Sequence, residues 1–123
     1  MAFSEYWDGT KTGINGVSTT TTGTVFDVSL REKMSFVFTC ASHTSGNGVF
    51  TIDGSNDGTN WVTSIAFQDA TSTAATTFIT SKTLSSNTTA GGYLPFVPFK
   101  MMRIVLTFTT DGVYTATAQG YGD

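Results

Sequence analysis

Charge is scarce in this chain of 123 residues: Asp, Glu, Lys and Arg make up 12%, about half the share of an ordinary soluble domain. The six basic residues, Lys11, Arg31, Lys33, Lys82, Lys100 and Arg103, are scattered and the net charge is -3. Binding to nucleic acid through phosphate neutralisation needs a basic stripe, so no nucleic-acid partner is expected. No apolar run approaches the length of a membrane helix, which leaves no membrane partner to expect. The first residues, Met1 to Asp8, carry acids where an export signal carries bases, so no signal peptide is read there.

Cysteine, histidine and proline are nearly absent. The single Cys40 cannot form an intramolecular disulfide, which fits assembly in a reducing cytoplasm. It continues the alternation of Met34, Phe36 and Phe38 and reads as a small core residue. The single His43 stands in a Ser/Gly loop near Cys40. A Cys–His dyad would need Cys40 to point outward and a third group to orient the ring, so no catalytic residue is assigned. Nothing calls for a cofactor.

What the chain does have is Thr, Ser, Gly and ten Phe, in runs of period two. Such a mixture favours strands. Val49 to Asp53 alternates about Phe50 and Ile52; Gly54 to Asn60 supplies turn formers; Trp61, Thr63, Ile65 and Phe67 then share a face. This predicts a β-hairpin with Trp61 in the core. Thr24–Leu30 predicts a strand with Phe26, Val28 and Leu30 inward, and Met34–Cys40 the next. Residues 76–84 predict one more within a loop-like stretch. Gly91, Gly92, Pro95 and Pro98 argue against regular pairing across 93–99, with Phe96 and Phe99 seeking burial. Met101–Thr110 is the best long strand. Asp111-Gly112 is a strong two-residue hairpin signal, with Val113–Gln119 as the returning partner.

The expected fold is therefore all-β: a single antiparallel β-sandwich of about six to eight strands, the jelly roll being one form of it. Residues 1–23 read as an N-terminal arm and 24–123 as the sandwich. The arm's aromatics, Phe3, Tyr6 and Trp7, sit on patternless polar chain and are candidate contact residues, docking on this domain or on a neighbouring molecule.

Two other constellations bear on chemistry. Asp53, Ser55 and Asp57, with Gly58 in sixth place, match the opening of a calcium loop. The twelfth place is Ser64 rather than a bidentate Glu, and a plain turn in which Asp and Asn bond their own backbone explains the same residues; no metal is assigned. Trp61, Tyr93 and Tyr114 could form an aromatic platform for a sugar, which makes a carbohydrate- or surface-binding module the alternative function. Asn87-Thr88-Thr89 fits a glycosylation sequon, which carries meaning only in an exported chain.

The stretch Gly48-Val49-Phe50-Thr51-Ile52-Asp53-Gly54-Ser55-Asn56-Asp57-Gly58-Thr59-Asn60-Trp61 resembles one found in small β-sandwich structural proteins of tailed bacteriophages. Phe99 to Thr107, then Asp111-Gly112-Val113-Tyr114, looks like the closing hairpin of that group. Similar turns followed by Trp also occur in discoidin-like binding domains. The phage resemblance implies a virion component without catalysis, such as a capsid decoration (cement) protein or a head or tail accessory protein. It would act through contacts with itself, as a homotrimer by analogy, and with a major capsid or other virion protein. Its place would be the virion, after assembly in the host bacterial cytoplasm.

Overall fold

The computed structural model describes residues 10–70 and 77–122. Among them lie twelve strands and no helix: β1 (Lys11–Val17), β2 (Thr21–Thr22), β3 (Phe26–Asp27), β4 (Lys33–Ala41), β5 (Gly46–Ser55), β6 (Trp61–Val62), β7 (Phe67–Asp69), β8 (Phe78–Ile79), β9 (Lys82–Leu84), β10 (Thr88–Leu94), β11 (Met101–Thr110) and β12 (Val113–Tyr121).

They pair antiparallel in two sheets. The first runs β1-β12-β4-β10-β7-β8, and the second β2-β11-β5-β6. β3 lies beyond β2 on the same edge of β11, and β9 shares with β6 the far edge of β5. With β2 and β3 taken as the second strand and β6 as the fifth, the sheets read first-eighth-third-sixth and second-seventh-fourth-fifth. That is the order of a jelly roll, with β7 and β8 added at one edge.

The core lies between the sheets because each long strand is apolar on one face only. Phe36, Phe38 and Cys40 of β4, Phe50 and Ile52 of β5, Met102, Ile104 and Leu106 of β11, and Tyr114, Ala116 and Ala118 of β12 are all buried. Phe38 and Phe50 stack across the two sheets, with ring centroids 4.7 Å apart. Each fully buried ring contributes about 1.5–3 kcal/mol relative to exposure.

Several expectations are corrected. Lys11–Val17, assigned to the arm, is an edge strand paired with β12, so the sandwich includes residues well before 24. The strand expected over Thr24–Leu30 shrinks to Phe26–Asp27. The Asp27 carboxylate accepts hydrogen bonds from the Ser29 amide and hydroxyl, the chain turns, and Leu30 is left 70% exposed. The strand expected near 76–84 is two short ones, β8 and β9, on opposite sheets.

Gly91 and Gly92, read as obstacles, lie inside β10 in unbroken register with β4. Phe96 is 69% exposed, whereas Phe99 packs over Gly54, where a Cβ would stand 2.2 Å from its ring. The Asp111-Gly112 turn is not a hairpin either. β11 and β12 belong to different sheets, and the turn is an arch that carries the chain across the sandwich.

Candidate functional site

Three regions collect the residues on which function was expected to rest. The first is the loop after β5. Ser55 is buried, and its hydroxyl donates to the Asn60 carbonyl at 2.7 Å while accepting from the Gly58 amide at 2.9 Å. The Asp57 carboxylate accepts from the amides of Thr59 and Asn60, each at 2.8 Å, and from the Asn60 side chain. The Asn60 amide foremost, then that of Thr59, holds this carboxyl well below the usual carboxylate range. Gly58 takes the left-handed conformation, at φ 77°.

Asp53 faces elsewhere. It lies directly opposite Arg103 in the β5–β11 register and is 3% exposed. Its carboxylate accepts from Arg103 Nε at 3.0 Å and from the Ser64 amide at 3.1 Å. A guanidinium on one carboxylate and backbone donors on the other are the opposite of a cation cage, which needs several oxygens converging with free lone pairs. Among the described residues no cluster of three or more His, Cys, Asp or Glu side chains is poised to hold a metal.

Trp61 is corrected from the core to the surface. It is half-buried, with the Arg103 guanidinium 4.1 Å from its ring centroid, a cation–π arrangement, and its indole N–H directed at the Gly58 carbonyl. The alternation through Trp61, Thr63, Ile65 and Phe67 broke because the chain changes sheets on the way. After pairing with Ser55 and Gly54 in β6 it passes Ser64, at φ 55°, and enters the first sheet at Phe67. The other members of the aromatic platform are elsewhere: Tyr93 is on β10, in the first sheet, and Tyr114 is buried. The three do not meet.

The second region is the end of the sandwich where two arches lie together, β4 to β5 and β11 to β12. The Asp111 carboxylate accepts from the Thr44 amide and hydroxyl and from the Ser45 amide. The Thr44 hydroxyl first, then these amides, lowers its pKa to about 2. His43 places Nε2 at 2.7 Å from the Gly46 carbonyl, and its amide donates to Asn87. Cys40 lies in the core beside the Tyr114 hydroxyl, whose pKa burial foremost raises to about 12. His43 and Cys40 are thus engaged separately.

The third region is the outer surface of the sheets. On the first, three rows cross β12, β4 and β10: Thr115–Thr39–Thr89, Thr117–Val37–Gly91 and Gln119–Ser35–Tyr93. On the second, Thr22–Val105–Thr51 and Thr107–Val49–Thr83 do the same. Every one of these side chains is uncharged. Sequence patterning placed the residues of β5 and β11 outward, but only the register shows that these side chains form uncharged rows, next to which the Asp53–Arg103 pair stands on the second sheet. Phe3, Tyr6 and Trp7 lie outside the described residues.

Among solved structures, the crystal structure of the SPBc2 prophage-derived protein YomS superposes with a TM-score of 0.71 at 9% sequence identity, covering 98% of both chains. At that identity the likeness establishes a shared fold. No protein-family model and no curated protein sequence matches the chain.

Proposed function

We propose that this chain is a non-enzymatic structural protein of a bacteriophage particle. More narrowly, it serves as a capsid decoration protein that stabilises the head by associating with itself and with a major capsid protein. The observation that carries this reading is the pair of Thr- and Val-rich sheet faces, uncharged in the rows named above, with the Asp53–Arg103 ion pair beside them on the second sheet. A protein surface that docks against copies of itself must lose its water, which costs far more for charges than for hydroxyls that find a hydrogen-bond partner and is favourable for methyls. The fold shared with a prophage-derived protein supports the phage setting.

The working parts are then surfaces rather than a cleft, and assembly is expected as a closed ring, with three copies the first expectation. The test is the molar mass of the purified protein by light scattering, with and without a chelator. A discrete oligomer unchanged by chelator is expected. A monomer at every accessible concentration that binds a glycan saturably would replace this reading with a carbohydrate-binding module.

A further inference from the structure

The chain has five asparagines, Asn15, Asn47, Asn56, Asn60 and Asn87, and the fold treats one of them differently. Asn47 Oδ1 accepts from the Thr109 hydroxyl, Asn56 from the Lys100 amide and Asn87 from the His43 amide, while Asn60 donates to Asp57. Asn15 is exposed on β1, and its side chain has no hydrogen-bond partner among the described residues. It is also followed by glycine. Ile14 pairs with Ala116 and Val17 with Tyr114, so Asn15 and Gly16 together oppose Thr115 in a bulge of an edge strand. Gly16 takes φ 60°, and a Cβ there would meet nothing nearer than Val113 at 3.7 Å. The Gly16 amide donates to the Thr115 hydroxyl at 3.1 Å rather than to a ladder carbonyl, so rotation of one side chain releases it.

We propose that Asn15-Gly16 is a site of spontaneous modification, where the asparagine amide becomes a carboxylate while the protein stays folded. The Gly16 nitrogen attacks Asn15 Cγ and loses its proton as the new C–N bond forms, and the side-chain nitrogen leaves as ammonia. Water then opens the cyclic imide. Cleavage of the new bond leaves Asp; cleavage of the original peptide bond leaves iso-Asp, in which the chain runs through the side-chain carbon. One amide and one water give one acid and one ammonia, so no other reactant is needed. The attack requires close approach to the next nitrogen, which glycine permits by having no Cβ. The second Asn-Gly pair lacks that freedom. Gly48 lies between β11 and β9, opposite Phe108 and Leu84, with the Tyr114 ring where a Cβ would stand. The same dipeptide is thus open in the bulge and shut inside the sheet. Each event adds one negative charge to a chain of net charge -3, at the end of the Thr115–Thr39–Thr89 row.

The test incubates the purified full chain in neutral buffer, with and without guanidinium chloride, and follows deamidation by intact mass, released ammonia and peptide mapping. In denaturant the two Asn-Gly pairs are expected to react at similar rates, since neither is held. In the fold Asn15 is expected to lead Asn47 by about tenfold or more, because the sheet must open locally before Asn47 reacts. Both Asp and iso-Asp are expected at position 15, and Asn15→Gln should remove the early phase. Folded protein in which Asn15 and Asn47 react together, or in which another asparagine leads, overturns the proposal. So does an Asn15 that stays intact when the denatured sample has reacted, or an early phase that survives Asn15→Gln.

Discussion

Adjacent glycines in β10 are expected to respond to alanine with opposite signs. A Cβ on Gly92 would stand 2.9 and 3.0 Å from two carbons of the Phe67 ring and 3.3 Å from Phe38. Ordinary carbon contacts lie near 3.5–4.0 Å, so the rings must retreat by about half an ångström. They have nowhere to go: Phe38 is stacked on Phe50, and Phe67 packs against Phe36 and Phe38. Overpacking of this kind costs about 1–3 kcal/mol, set against about 0.5–1 kcal/mol from the smaller entropy of the unfolded chain. Gly92→Ala should therefore destabilise by about 1–2 kcal/mol, a fall in Tm of roughly 3–12 °C. On the outer face, a Cβ on Gly91 meets nothing nearer than Ala70 at 3.5 Å. Gly91→Ala then keeps only the entropic gain and should stabilise by up to about 1 kcal/mol. Both are read from urea and thermal unfolding. Adding Phe67→Leu to Gly92→Ala should cost less than the sum of the two changes. A Gly92→Ala protein as stable as the parent, or shifts of the same sign at both positions, would refute the packing argument.

Three further expectations concern the charged groups. The Asp111 carboxyl is lowered from 3.8 to about 2 in the fold, so its contribution is complete above pH 4 and is lost as the pH falls toward 2. Asp111→Asn should lower Tm at neutral pH and flatten the pH dependence of Tm between about 4 and 2; an unchanged acid limb would refute the role of the arch contact. Arg103→Met leaves the buried Asp53 carboxylate with the Ser64 amide as its remaining donor and should cost about 1–3 kcal/mol in urea unfolding, with Asp53→Asn in the same chain restoring part of it. Asp57→Ala removes the acceptor that shapes the loop and should lower Tm, while calcium and chelator leave Tm unchanged in parent and variant alike. A calcium-dependent rise in the parent that Asp57→Ala abolishes would show that the loop binds the ion after all.

Where local pattern and fold agreed, the cause was a strand long enough for one face to be read. β4, β5, β11 and β12 each show buried and open residues in alternation, and their apolar sets, Phe36 and Phe38 or Ile104 and Leu106, were legible because period two leaves little choice of face. The loop after β5 was legible for a similar reason: Ser55, Asp57, Gly58 and Asn60 satisfy one another within a few residues. Gly92 was misread because a glycine inside a strand signals either a break or a close approach, and which applies depends on Phe67 and Phe38, distant in sequence. The Asp53–Arg103 pair is likewise invisible until β5 and β11 are in register. The signal that could have found it is one acid and one base standing alone on the outward faces of otherwise neutral strands.

The sheet assignment failed at a more basic level. Asp111-Gly112 after a long strand is the dipeptide of a tight hairpin, yet the chain crosses to the opposite sheet. A turn signal specifies that the chain reverses; it does not specify whether the two strands bond to each other or face each other across a core. The choice is made by contacts distant in sequence. Thr110 and Gly112 both take positive φ, 75° and 108°, and the Asp111 carboxylate reaches the amides of Thr44 and Ser45. Tyr114 then fills the space that Gly48 and Gly112 leave by having no side chain, its ring edge-on to Phe50 and Phe108. With the arch in place, β12 pairs with β4 and β11 with β5, and each sheet keeps its Thr- and Val-rich face outward. Had β11 and β12 formed a hairpin, Tyr114 would lie in the same sheet as Phe108 instead of meeting its ring edge-on across the core. The arch at Asp111 therefore decides the topology and, with it, which side chains the protein can offer a partner.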